Sequence, residues 1–85
     1  MESLQVIKYP LATEKSIRLM ESENKLIFVV NDRANRTDVK KAIEEVFKVK
    51  VVKVNIYTMK GKKRAYVKFA KEFPAIDLAT NLGLM

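Results

Sequence analysis

Eighty-five residues, 48% of them hydrophobic and 8% aromatic, make one domain with a thin core, too short to divide and too apolar to stay disordered. The chain has no cysteine, histidine or tryptophan, which excludes a disulfide framework and removes the usual zinc and redox-metal ligands and the usual general base near neutral pH. Its net charge of +7 is unevenly placed: residues 46–71 hold nine Lys/Arg and no Asp or Glu, while the remainder holds eight basic and ten acidic side chains.

No apolar run at the start resembles a signal peptide, and none nears the length of a membrane span. The expectation is a soluble, cytoplasmic protein without membrane insertion. No repeat or Gly/Ser linker interrupts residues 1–85, which read as a single domain. Residues 5–9 predict a short strand, halted by Pro10. Thr13 is placed to cap a helix that runs to about Glu23, with Ile17 and Met20 on one face and Asn24 at its end. Residues 26–30 are apolar at every position, the pattern of a central strand covered on both faces.

Asn35 and Asp38 stand in capping-box relation at the start of the strongest helix. Val39, Ala42, Ile43 and Val46 follow at the spacing of a buried stripe, and Lys40–Glu44 and Lys41–Glu45 are opposite-charge pairs on the outer face. A two-stranded segment comes next. Val52, Val54 and Ile56 alternate with Lys53, Asn55 and Tyr57, then Ala65, Val67 and Phe69 alternate with Arg64, Tyr66 and Lys68. A period of two sends the first set of each strand to the core and the second to the other face. Val51 and Val52 are adjacent and apolar, which marks a bulge or the strand start. The short connection is Lys60, Gly61, Lys62 and Lys63, with Gly61 supplying positive φ. Pro74 suits the first turn of a last helix, with Leu78 and Leu82 inward and Gly83 closing it. The order is β-α-β-α-β-β-α, an α+β fold with a small, mainly antiparallel sheet packed with helices.

The hairpin carries the candidate chemistry. Its outward face presents Lys53, Asn55, Tyr57, Arg64, Tyr66 and Lys68, with Lys60, Gly61, Lys62 and Lys63 at the tip. Cations for phosphates and flat rings for bases are what RNA binding requires. Single-sign segregation reads as a footprint for a polyanion, whereas a solvated face alternates its charges. The competing explanation is that the lysines keep a small sheet soluble and block edge pairing, and that the two tyrosines shield the sheet as cross-strand neighbours.

Lys62–Phe69 (KKRAYVKF) invites comparison with the RNP1 signature of RNA-recognition motifs. Lys63 replaces the glycine and Arg64 a stacking aromatic, and the element order differs, so that module is rejected. A second likeness covers nearly the whole chain: residues 9–16 (YPLATEKS), 34–47 (ANRTDVKKAIEEVF) with the following VKVVKVN, 60–69 (KGKKRAYVKF) and 73–84 (FPAIDLATNLGL). Together these resemble the universal large-subunit ribosomal protein family numbered twenty-three, in its archaeal and eukaryotic branch. The resemblance implies a structural, non-enzymatic constituent of the large ribosomal subunit that binds large-subunit rRNA beside the polypeptide exit tunnel, among neighbouring large-subunit proteins. It also implies a share in the docking platform for signal recognition particle, the Sec translocon and other nascent-chain factors. It adds Lys15, Arg36, Lys40 and Lys41 to the candidate RNA-binding residues, and Glu14 as a docking residue. Bacterial members extend the hairpin into the tunnel, and here only residues 60–63 remain.

Two other classes stay open at this point: a small basic chromatin-type DNA-binding protein, and a ferredoxin-like regulatory module for a small anionic ligand. The latter usually holds its ligand with a Gly-rich turn or a helix N-terminus, and this chain has two glycines, Gly61 and Gly83. No cofactor, metal or small-molecule substrate is expected. Glu14, Asp38, Glu44 and Glu45 sit where capping and pairing explain them, and no nucleophile–base pair can be assembled.

Overall fold

In the computed structural model, which describes residues 3–81, the chain runs α1 (Ser3–Val6), β1 (Ile7–Pro10), α2 (Glu14–Glu23), β2 (Lys25–Val30), α3 (Arg36–Phe47), β3 (Val51–Met59), β4 (Lys62–Phe69) and α4 (Ala75–Asn81). The α+β order expected from the sequence is present, preceded by the one-turn α1. The strands form one antiparallel sheet in the order β1-β2-β4-β3. Because β4 lies between β2 and β3, those two strands run parallel to one another and α3 makes the crossover between them.

The first strand is shifted from the expected residues 5–9. Residues 5 and 6 belong to α1, and Pro10 is a strand residue paired with Phe28 rather than a stop. An edge strand tolerates a residue without an N–H, and β1 is an edge. The two long helices start as read. Thr13 Oγ1 accepts from the Ser16 N–H at 3.2 Å, and Ser16 Oγ accepts from the Thr13 N–H at 2.8 Å. Asn35 and Asp38 make the same reciprocal exchange, at 2.8 and 3.3 Å.

Every residue from 26 to 30 is buried, so β2 is covered on both faces. Phe28 stacks on Phe47 of α3, with ring centroids 6.0 Å apart, and joins Val30, Val39, Ala42 and Ile43 in the core. The other face, Ile27 and Val29, is covered by α2, which packs along β2. Two inward assignments on the helices fail. Val46 is exposed because Phe47 fills the last turn of the α3 interface, and Ile17 is exposed because the inward face of α2 centres on Ser16 and Met20. Glu44 does not serve Lys40. It accepts the Val51 N–H at 3.0 Å and so fastens α3 to the start of β3.

The paired valines mark a bulge, as their sequence suggests. The β3–β4 register shifts between Val51 and Lys53, so Val51 enters the core at 3% exposure and Val52 turns out at 59%. Val52 is therefore not a core residue, and Val54 and half-buried Ile56 resume the inward set. The loop is tighter than the four residues expected. Met59 pairs with Lys62, leaving Lys60 and Gly61, at φ of 50° and 77°, as a two-residue turn of the type that matches strand twist.

Asn24 gathers the ends of three elements. At φ of 56° it closes α2, and its carbonyl accepts the Phe69 N–H at 3.1 Å. Its Nδ2 donates to the carbonyls of Phe69 (3.0 Å) and Ala70 (3.2 Å), while its Oδ1 accepts the Ala75 N–H at the start of α4. Pro74 precedes that helix rather than lying in its first turn, and its carbonyl accepts from Asp77 and Leu78. Leu78 is buried as expected. Leu82 and Gly83 lie outside the described residues.

Val51→Asp should unfold the domain, since it buries an unpaired charge, whereas Val52→Asp should change stability by no more than about 0.5 kcal/mol. Guanidinium unfolding of the two variants distinguishes them, and equal loss would mean that the bulge is misplaced. Asn24→Ala should cost roughly 2–4 kcal/mol through lost caps and orphaned carbonyls, seen as a lower midpoint at unchanged m.

Candidate nucleic-acid interface

Directly paired residues on neighbouring strands share a face, so the register spells out the surface. On the side away from α3, one row across β2, β4 and β3 is Lys25, Lys68 and Lys53. The next is Ile27, Tyr66 and Asn55, and the third is Val29, Arg64 and Tyr57. Lys62 and Met59 finish the face beside the turn. Successive rows are about 7 Å apart, twice the strand rise. The α2 helix covers Ile27 and Val29, so the rows become open over β4 and β3.

The structure brings Lys53, Asn55, Tyr57, Lys62, Arg64, Tyr66 and Lys68 onto this one face, with Lys60 and Gly61 at its end. Lys15 joins them from the first turn of α2, its Nζ 5.6 Å from the centre of the Tyr66 ring. The Tyr57 and Tyr66 rings meet edge to face, 5.2 Å apart at 83°. Lys63 is excluded from the face. It lies on the core side of β4, half-buried, and donates from Nζ to the Asp32 carbonyl at 3.2 Å. That bond brings the loop before α3 beside the hairpin tip, so Arg33 and Arg36 stand at the same end as Lys60 and Lys62. Lys40 and Lys41 are exposed further along α3, on the opposite side of the sheet. Glu14 is also exposed and pairs with Arg18 at 2.8 Å, one helical turn away.

Lys25 is the functional candidate that sequence reasoning passed over. It precedes an all-apolar run and lies outside the basic segment. Its parity with Ile27 and Val29 puts it on their face, but only the β2–β4 register puts it beside Lys68. Glu23 partly neutralises it, with Oε1 3.3 Å from Nζ. Lys53 and Lys68 have no ion-pair partner among the described residues. Like charges opposed across a sheet repel, so this row favours an anion placed over it.

Lys15, Lys25, Asn55, Tyr57, Met59 and Tyr66 border an open groove of about 390 Å³ on this face. Beside it, Arg64 approaches the Met59 sulfur with Nη1 at 3.9 Å, and its Nε is buried with no hydrogen-bond partner. Cations, two aromatic rings and an amide suit binding rather than bond-breaking. Among the described residues no three His, Cys, Asp or Glu side chains converge as a metal site, and no helix is long and apolar enough to cross a membrane.

Known proteins resemble this chain over nearly its whole length. Residues 5–77 match the family model described as Ribosomal protein L23. The chain is 46% identical over 85 residues to Large ribosomal subunit protein uL23 of Methanococcus aeolicus, covering 99% of both chains. It is 40% identical over 85 residues to Large ribosomal subunit protein uL23 of Trypanosoma brucei brucei, covering 99% of this chain and 52% of that protein.

If the lysine row is electrostatically crowded, Lys68→Ala should stabilise the free domain by a few tenths of a kcal/mol at low salt. The gain should vanish near 1 M salt, where charges a few ångströms apart are screened. Urea midpoints at the two salt concentrations check this, and a loss of stability at low salt would show that the row is not crowded.

Proposed function

The chain belongs to the ribosomal protein L23 family, and from that premise we propose that it is a structural constituent of the large ribosomal subunit that binds large-subunit rRNA through the outer face of its hairpin. The observation that carries this reading is the Lys25–Lys68–Lys53 row, where cations from three strands stand side by side. Phosphates are the ligand that converts this repulsion into affinity, through charge neutralisation and counterion release. Lys60, Lys62, Arg64 and Lys15 extend the contact along the face, and Arg36 continues it past the tip. Lys63 contributes by fixing the Asp32 loop, and Lys40 and Lys41 offer a separate, secondary contact from α3.

On the ribosome the protein occupies the rim of the polypeptide exit among neighbouring large-subunit proteins, in the cytoplasm. The family resemblance supports that position and a share in docking signal recognition particle and the Sec translocon. Glu14 is available for docking because it is exposed on the first turn of α2, although its bond to Arg18 already accounts for its local role. The two-residue turn leaves no hairpin extension to line a tunnel. Nothing in the family or the site calls for catalysis.

In a sedimentation gradient the native protein should travel with large subunits, and recovery with chromosomal DNA instead would overturn the reading. With about five phosphates neutralised, log K against log salt should have a slope of roughly −3.5 to −4.5 on protein-free large-subunit rRNA. Replacing Lys53, Lys60, Lys62 and Lys68 with Glu should weaken binding by several kcal/mol and flatten that slope, with little change in thermal midpoint. A matching loss of folding would make the cluster structural.

A further inference from the structure

The lysine row accounts for a phosphate backbone but not for the apolar surface beside it. Tyr57 and Met59 are 53% and 47% exposed on the face that carries the cations. A ligand that offered charge alone would leave both in water. One that offered charge together with a flat apolar ring would cover them.

The geometry selects such a ring. Tyr57 and Tyr66 stand at 83° to each other and form a corner, in which a third ring can stack on one while meeting the other edge-on. The Lys15 ammonium already lies over Tyr66, so Tyr57 is the freer stacking surface. Asn55 pairs with Tyr66 across the strands and borders the same groove, and its amide offers one hydrogen-bond donor group and one acceptor in a plane. Arg64, which faces Tyr57 across the strands, carries the buried Nε that lacks a partner. The lysine row lies one strand repeat beyond Tyr66, about 7 Å away, where phosphates of the same strand can be met.

We propose that this corner receives a single unpaired base of the RNA, a bulged or looped-out nucleotide. The base stacks on Tyr57 with its edge at Asn55, while the adjoining phosphates lie over Lys15, Lys25 and Lys68. This rests on the RNA-binding reading above and narrows it. A base inside an A-form duplex is stacked on both faces, and the deep, narrow major groove admits no side chain to it. Only a nucleotide outside the stack has a face to give to Tyr57.

The test compares two RNA hairpins with the same stem, one fully paired and one carrying a single bulged 2-aminopurine, at about 50 mM salt. The bulged RNA should bind on the order of tenfold tighter, with quenched 2-aminopurine fluorescence on binding. Tyr57→Ala should abolish both the preference and the quenching while leaving the salt slope unchanged, because no charge is removed. Tyr57→Phe, which keeps the ring, should retain both, and unchanged thermal midpoints in the two variants exclude a folding effect. Equal binding of the two hairpins by the unmodified protein, or a preference that survives Tyr57→Ala, overturns the unpaired-base site and leaves RNA binding standing. Failure to bind either hairpin overturns the RNA-binding reading as well.

Discussion

The molecule depends on the register of one strand. β4 is hydrogen-bonded on both sides, and its alternate residues supply the core (Ala65, Val67, Phe69) and the outer face (Arg64, Tyr66, Lys68). A slip of a single residue would exchange the two sets, burying cations and exposing the core. That slip is blocked at both ends. Asn24 grips the Phe69 end through backbone and side chain together, and the Lys60–Gly61 turn sets the opposite end. The bulge at Val52 absorbs the residue by which β3 would otherwise fall out of phase.

This arrangement makes stability and binding two readings of one alternation. The core demands apolar side chains at every second position, and the positions between them become a surface whose composition is unconstrained by packing. Over β2 the intervening positions Ile27 and Val29 are covered by α2 and are apolar, and only Lys25 at the strand's start is charged. Over β4 and β3 they are open, and there the chain places lysine, arginine, asparagine and tyrosine. Three lysines in one cross-strand row bring no benefit to the isolated fold. Their placement makes sense for a protein whose working state includes a polyanion.

Features written in local sequence were legible in advance. The helix cap at Thr13, the capping box at Asn35 and Asp38, the fully apolar run of β2, the alternation of β3 and β4, and the positive φ of Gly61 all depend on residues a few positions apart. What depends on distant partners was not legible. Val46 and Phe47 both fit a helical stripe, and only the Phe28 ring on β2 decides between them. Glu44 has a plausible partner one helical turn back, yet the Val51 N–H takes it. Lys63 reads as one more tip cation until pairing with Val30 puts it on the core side. Lys25 reads as the polar start of a buried strand until Lys68 is beside it. The charge segregation pointed to the hairpin, but a contiguous segment is not a contiguous patch, since Lys63 within it turns to the core side. Lys48, Lys50 and Lys71 lie outside the two strands, just beyond the end where Lys53 and Lys68 stand.

The two-residue turn also divides the sheet in time. Met59 and Lys62 are joined by almost no chain, so closing that hairpin costs little entropy, and isolated hairpins zip in ~1–10 μs. Asn24, by contrast, reaches partners 45 to 51 positions away, and β2 must cross the whole of α3 before it meets β4. Long closures of that kind slow folding. The half of the sheet that carries Lys53, Tyr57, Arg64 and Lys68 is therefore the half able to assemble early, before the slow half closes behind it. Under the proposed function, an RNA meeting the chain at that stage would find much of the proposed contact surface already ordered, and assembly could proceed alongside folding instead of waiting for it.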